Sequence, residues 1–581
     1  MIWLAVVFFP LFPAALLGVA GTRRLVCRHG MWVAPLPALA LALAGSGLEP
    51  AVVPALFLQS VMHFGPFGQL FLLLTAVLWT AAGLFAGASF AAEDSRQSRF
   101  ALFFLFSLCG NLGLCLAQDL ASFYVFFALM SFSAYGLIVH EGTEKALHAG
   151  RVYLTMAVIG EVLLASAFFY AGLAGPGPLF SEIRPLLPLH VHGPLILVLA
   201  FTGFGIKAGV LLLHVWLPLA HPAAPTPASA VLSGAMIKAG LLGWLQLFAM
   251  AGDLDGWGLA LAGVGLAAAF YGVLCGVGRQ DPKTILAYSS VSQMGLMTMV
   301  LGFALLPAAA AAEGLVPGLL IFVLVHGLAK GALFLGVGVA KAAGRKTPRS
   351  LLVLAGLLLA GLVLAGLPFT AGAVVKQALK AGAGLLPEAW RGVFDGLIAL
   401  SAVGTMLLLG TFLWRVRDAM PAADKAIPSG MVVAWAGLLG LVLLALPLAG
   451  MVLPLPGEGV PSGMKPIVEG LWPIGLGLLG AGLYRRLSRG GAERQGLDAL
   501  LLAGLEGALR AAWLRLRAGG LGAPESGSSD PMGRVNLLLN SRWVQRVSDR
   551  IEERLLAWPT VGVVFVGLLL GFVFLAWRGV A

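Results

Sequence analysis

About sixteen apolar segments, each long enough to cross a bilayer, follow one another through this 581-residue chain. They run approximately over 2–20, 31–47, 66–91, 100–117, 120–140, 150–173, 193–216, 227–251, 257–278, 284–305, 315–340, 350–380, 392–414, 430–453, 470–485 and 559–578. With 59% of residues hydrophobic and 11% charged, and a mean hydropathy of +0.95, the chain lies outside the range of soluble domains. The expected fold is an all-α polytopic membrane protein with about 14–16 transmembrane helices. The first run has no basic stretch before it and is long enough to span, so it is read as a helix that stays, not a cleaved signal.

The net charge of +11 could suggest a nucleic-acid partner. The basic residues, however, are scattered singly and in pairs between spans, as topology determinants are. They gather after odd-numbered segments (Arg23, Arg24 and Arg28; Arg96 and Arg99; Lys145 and Arg151; Arg279 and Lys283; Lys341, Arg345, Lys346 and Arg349; Arg415, Arg417 and Lys425; Arg485, Arg486 and Arg489). Loops after even-numbered segments are poor in them and carry acids such as Glu49, Asp119 and Glu313. The positive-inside rule then places the N-terminus outside, and a bacterial inner membrane is the expected location.

Other motifs argue against soluble chemistries. The four cysteines lie in or beside apolar segments without a C-x-x-C pair, so neither a disulfide framework nor an iron–sulfur site is indicated. His190 and His192 are two apart in a loop and form no haem pair. GRKTPRS at 344–350 lacks the glycine spacing of a phosphate loop and is read as a basic loop. No cofactor or metal is expected.

The chemistry concentrates in Phe201 to Leu247, two apolar helices separated by a proline-rich break. Lys207 and Lys238 each sit amid apolar turns. Burying a lysine in hydrocarbon costs roughly 2.5–3.5 kcal/mol on insertion scales, so such residues face a bundle interior or a wet cavity. A lysine within a turn of a helix end could merely snorkel to the headgroups, but Lys207 has apolar sequence from Leu195 to Trp216 around it. The break carries His214 and His221.

Two segments hold proline within membrane-length patterns: the seventh around Leu217-Pro218 and the twelfth around Leu367-Pro368. Proline frees backbone carbonyls, which is tolerable at membrane depth only where protein or water satisfies them. Interrupted helices in corresponding positions of two halves point to a transport site. Five-helix units spanning 100–251 and 257–414 would then sit in opposite orientations as an inverted repeat. They lie between N-terminal helices (1–99) and further helices (430–485).

GIKAGVLLLHVWLPLAHPAAPTPASAVLSGAMIKAG resembles the signature of the antiporter-like subunits of respiratory complex I (NADH:quinone oxidoreductase), a family shared with multisubunit cation/proton antiporters and membrane-bound hydrogenases. DPKTILAYSSVSQMG (Asp281 to Gly295) and HGLAKGALFLGVG (His326 to Gly338) are similar to the family's tenth and eleventh helices. The resemblance implies inverted repeats with one half-channel each and a proton path through buried lysines. Lys207 would be the switching lysine, Lys238, Ser292, His326 and Lys330 a central relay with His214 in the first break, and Lys376 the exit-side lysine. His326 and Lys330 are four apart and share a helix face, which suits a proton relay better than a structural plug. Ser289, Ser290 and Ser292 could line a hydrated path or satisfy their own helix.

At one position the resemblance fails. The family's fifth helix supplies a glutamate that pairs with the lysine of the seventh, and here Ala128 stands in its place. A nearby carboxylate favours a charged amine and desolvation a neutral one, and switching between the two moves a proton. Glu161, midway along the sixth segment, is the nearest intramembrane acid, and we take as a hypothesis that it pairs with Lys207. Side chains on opposite faces of the bundle would rule that out.

Arg494 to Gly520 and Asn536 to Leu556 are amphipathic stretches joined by a Gly/Ser/Pro-rich link. They are read as docking elements within 494–557, before a last span at 558–581. The leading expectation is a proton-translocating subunit of a complex I-like or hydrogenase-like pump, with other membrane subunits and the lipid bilayer as partners and protons or Na+ as cargo. Nothing in the sequence binds nicotinamide, flavin or iron–sulfur clusters, so electron transfer would belong to partners. Two alternatives are the conducting subunit of a secondary cation/proton antiporter or proton-driven inorganic-carbon uptake system, and a structural subunit that has lost pumping.

Overall fold

The computed structural model describes residues 2–487, apart from positions 46, 54–59, 66, 90–94, 176, 249–253, 308, 310–313 and 455–463. The amphipathic stretches at 494–557 and the span at 559–578 lie outside the described residues. Residues up to Leu478 form one compact unit; a second begins at Leu479.

The chain opens with α1 (Ile2–Phe8) and α2 (Leu11–Leu16), then α3 (Ala20–Ala44), which contains a π turn at Val26–Gly30. The expected first span is thus divided, because Pro10 supplies no N–H at the junction. Arg23, Arg24 and Arg28, expected in a loop, lie on α3 instead. A short antiparallel hairpin, β1 (Ala51–Val53) with β2 (Ser60–Met62), follows.

The next helices are α4 (Gly68–Ser89), α5 (Ser95–Leu116), α6 (Leu120–Ile138) and α7 (Glu144–Ala174). Asp119 caps α6 by accepting from Ser122 N at 2.8 Å, and Thr143 caps α7 through Ala146 N. Then come α8 (Gly193–Ala208), α9 (Leu217–Ala223), α10 (Thr226–Phe248), α11 (Asp255–Val277), α12 (Pro282–Ala304) and α13 (Leu315–Ala340). The series ends with α14 (Pro348–Leu364), α15 (Ala371–Ala383), α16 (Glu388–Ala419), α17 (Ser429–Leu443) and α18 (Met464–Leu487).

Among the described residues eleven helices are long and apolar enough to cross a membrane, and α8, α14 and α17 are shorter apolar helices. This is a polytopic membrane protein. The membrane-length windows of α10, α12 and α13 are buried throughout, whereas those of α7, α11 and α16 are half-buried or less. An all-round apolar helix belongs inside a bundle, and these three inner helices carry most of the polar residues singled out above.

The first break lies at 209–216, directly before Leu217-Pro218, and begins two turns earlier than the proline suggests. Gly209 adopts the left-handed conformation (φ 70°, ψ 41°) and stops α8. Pro218 sits in the first turn of α9, where its missing N–H costs nothing. The second break, at 365–370, does include Leu367-Pro368. Gly366 (φ 86°) ends α14 and Thr370 caps α15. Each glycine is followed three residues later by a non-glycine of positive φ, Leu212 (70°) and Phe369 (62°), the two such residues among those described.

Candidate functional site

Freed backbone groups at the first break are met by side chains. Trp216 donates its indole N–H to the Ile206 carbonyl at 2.7 Å, tying the far side of the break to the last turn of α8. That turn carries Lys207, which is 5% exposed. Its ammonium donates to Ser131 Oγ at 3.1 Å and Tyr153 Oη at 3.0 Å, and the phenol donates in turn to the Ser131 carbonyl at 2.8 Å. The Phe127 and Tyr153 rings lie 5.8 and 5.4 Å from the amine, within cation–π range.

Phe127, Ser131, Tyr153, Glu161, Lys207 and Trp216 line one cavity. A water's centre can occupy about 10 Å³ of it, room for a single molecule. Glu161 reaches the cavity because α7 crosses α8 at paired glycines. A Cβ on Gly203 would come within 2.7 Å of Leu164 Cγ and 3.0 Å of the Gly160 carbonyl, so small residues set this approach. Glu161 and Lys207 therefore open into the same space and are not on opposite faces. They form no direct ion pair: both carboxylate oxygens are buried without a hydrogen-bond partner among the described residues. Ala128 lies one turn before Ser131 on α6, so a hydroxyl on that helix touches the lysine where the family pattern has a carboxylate.

A second cluster joins α10, α12 and α13. α10 contains a π turn at Leu232–Met236, in which Ile237 N–H bonds Leu232 O instead of Ser233 O. The Ser233 carbonyl so released accepts from Lys238 Nζ at 2.6 Å, a use of a π turn in keeping with where such turns occur. Ser233 Oγ and Ser290 Oγ share a 2.7 Å hydrogen bond. Ser290 Oγ and Lys330 Nζ both donate to the Leu286 carbonyl, each at 3.0 Å. Lys238, Lys330 and His326 are fully buried and within Coulomb range of one another.

Ser290 is thus the serine in this chain of bonds. Ser292, singled out from sequence, packs against Gly272 of α11. The Oγ atoms of Ser289 and Ser292, both nitrogens of His326 and of His221, and Nδ1 of His214 are buried without a partner among the described residues. His214 lies in the break with its ring 4.9 Å from that of Tyr271. His221 stacks on Phe334 at 4.7 Å and lies within Coulomb range of Lys283, Lys330 and Lys238.

Lys283 was missed by sequence reasoning, which placed it in a basic loop. It is buried at the start of α12 and donates to the Ala224 carbonyl at 2.7 Å. The D-P-K pattern was the available signal: Asp281 caps the helix through Thr284 N at 2.8 Å, which puts Lys283 inside the first turn. Lys376 of α15 is half-buried and donates to the main-chain carbonyl of Glu469 on α18. Lys380, one turn on, pairs with Glu469 Oε2 at 2.5 Å. Among the described residues no three His, Cys, Asp or Glu side chains are grouped as a metal site requires. What this arrangement can do is hold and pass protons at buried amines.

A family model described as NADH:quinone oxidoreductase/Mrp antiporter, TM, matches residues 117–383, and so takes in both breaks and all three lysine sites. Hydrogenase-4 component B of Escherichia coli (strain K12) is 37% identical over 225 residues, 37% of this chain and 33% of that protein. NADH-quinone oxidoreductase subunit N of Desulforudis audaxviator is 31% identical over 325 residues, 53% of this chain and 60% of that protein. The chain thus spans less than two thirds of either relative. Among solved structures, the Mrp complex from Dietzia sp. superposes with a TM-score of 0.69 at 21% identity, covering 91% of this chain and 64% of that chain, a likeness of fold.

Proposed function

Because residues 117–383 match the family model described as NADH:quinone oxidoreductase/Mrp antiporter, TM, we propose that this chain translocates protons as a membrane subunit of a complex I-like or hydrogenase-like redox-driven assembly. The observation that carries the reading is the pairing, in one small cavity beside a broken helix, of a buried amine with a buried carboxylate that it does not directly touch. Glu161 here takes the part of the missing fifth-helix carboxylate. With one water between them, the pair can exchange a proton without a permanent ion pair, which would hold the charge in place.

From Lys207 the path runs by way of His214, in the break, and His221 to the inner cluster of Lys238, Ser290, His326, Lys330 and Lys283, with Ser292 beside it, and leaves at Lys376. Buried polar atoms without protein partners favour such a route, since these groups are ordinarily satisfied by ordered water. The recurrence of a left-handed glycine followed three residues on by a strained non-glycine, at Gly209/Leu212 and Gly366/Phe369, supports reading the two halves as an inverted repeat with one half-channel each. The distribution of lysine and arginine supports an N-terminus on the outer side, and a bacterial inner membrane is part of the same reading. Oxidation and reduction belong to partner subunits.

The test is flux through the native assembly in proteoliposomes, with and without quinone and reductant, beside Lys207→Ala and Glu161→Gln. Redox-driven proton flux lost in both variants is the expected result. Flux that needs only a Na+ or anion gradient would make this a secondary transporter. Variants indistinguishable from wild type would reduce it to a scaffold.

A further inference from the structure

Proline in a helix interior cannot donate to the carbonyl four residues before it, and its ring pushes that carbonyl outward. In α18 the proline is Pro473, so the carbonyl it vacates is that of Glu469. This is the carbonyl on which the Lys376 ammonium rests. The side chain of the same residue takes Lys380 at 2.5 Å, and Lys376 and Lys380, four apart on α15, share a face.

The two helices are brought together at the second break itself. A Cβ on Gly470 would lie 2.7 Å from Pro368 Cγ and 3.5 Å from the Gly366 carbonyl, so only glycine lets α18 lie this close to the interruption between α14 and α15. The same device occurs at Lys238, where a π turn releases the Ser233 carbonyl. In each case a helix defect supplies the seat for a lysine ammonium.

We propose that Glu469 and Pro473 are positioning residues for the second half-channel. Pro473 frees the carbonyl that seats Lys376, and the Glu469 carboxylate holds Lys380 as its counter-ion, leaving Lys376 turned to the break. A helix outside the two five-helix units then sets the exit-side lysine. The functional half of this statement rests on the reading of Lys376 given above; the seat itself does not.

The experiment uses the assembled complex and two variants. Pro473→Ala restores an N–H at 473, returns the Glu469 carbonyl to its own helix and favours helix formation, so a loss of folding is not its expected effect. Glu469→Gln removes the charge and keeps the carbonyl. Labelling of each lysine by a small, membrane-permeant amine-reactive reagent is followed by mass spectrometry alongside flux.

A hydrogen bond to a charged group is worth roughly 1.5–3 kcal/mol, about tenfold or more in an equilibrium. Pro473→Ala is therefore expected to raise Lys376 labelling by about tenfold and lower flux to match, while Glu469→Gln raises Lys380 labelling alone. Unaltered Lys376 labelling in Pro473→Ala overturns the seat whatever the flux. Raised labelling with unaltered flux upholds the seat and overturns instead the reading of Lys376 as the exit lysine.

Discussion

The Tyr153 hydroxyl lies 3.0 Å from the Lys207 ammonium with its own proton committed to the Ser131 carbonyl. It can therefore only accept from the lysine. Tyr153→Phe keeps the ring beside the amine and deletes that acceptor, a charge-assisted bond worth roughly 1.5–3 kcal/mol. Proton flux through the assembly is expected to fall about tenfold while the complex stays intact on a native gel. Flux within twofold of wild type would remove the phenol from the switch.

Glu161 and Ala128 make a reciprocal pair. Ala128 precedes by one turn the serine that Lys207 touches, so a carboxylate on α6 at this position points towards the same amine. Glu161→Gln is expected to abolish most flux, and Ala128→Glu in the same chain to restore it to within about tenfold of wild type, the span of one charged hydrogen bond. A double variant as inactive as Glu161→Gln would mean that the two helices are not interchangeable sources of the charge.

The burial of Lys207 and Lys238 was legible in the sequence because apolar turns flank each, and such burial is expensive. Their partners were not. Ser131 and Tyr153 are ordinary residues in apolar helices, and only the packing of α6 and α7 against α8 brings them to Lys207. Proline located the breaks to within two turns, but Gly209 decides where the first one falls, since it is the residue that can enter the left-handed region at little cost. Nothing in LSGAM announces a π turn, so the seat of Lys238 could not be foreseen. Glu469 fell just outside the expected fifteenth segment because α18 begins six residues earlier, at Met464.

Outside the membrane, the loop after α13 is clasped to the loop after α16. Gly344 N–H donates to Asp424 Oδ1 at 2.7 Å and Thr347 Oγ1 to the same oxygen at 2.9 Å, with Arg349 at 3.9 Å from Oδ2. The Gly344 amide above all, then Thr347 and Arg349, holds this carboxyl below its ordinary value near 3.8. Its folded pKa is depressed, so the clasp is fully present above the unfolded value and is lost as pH falls through the folded one. Amide exchange at Gly344, corrected for its intrinsic pH dependence, is expected to stay slow down to pH 3.8 and to accelerate only below it. Asp424→Asn should show no such step. A transition at or above the ordinary value would mean that the amide does not favour the ionised form.

The crossing of α7 and α8 can be tested without touching a polar atom. Gly203→Ala places a methyl 2.7 Å from Leu164 Cγ and 3.0 Å from the Gly160 carbonyl, and the leucine can yield while the backbone oxygen cannot. Overpacking of this kind costs about 1–3 kcal/mol, relieved by spreading the helices and so moving Glu161 away from Lys207. Gly172, on the same α7, has nothing within 4 Å of the corresponding point. Gly203→Ala is expected to lower the thermal transition of the purified assembly and its flux together, and Gly172→Ala to change neither. A lower transition with flux untouched would separate the packing of the two helices from the proton switch. Both falling with the carboxylate and the amine still in place would show that the separation of those two groups governs the rate, and not their charges alone.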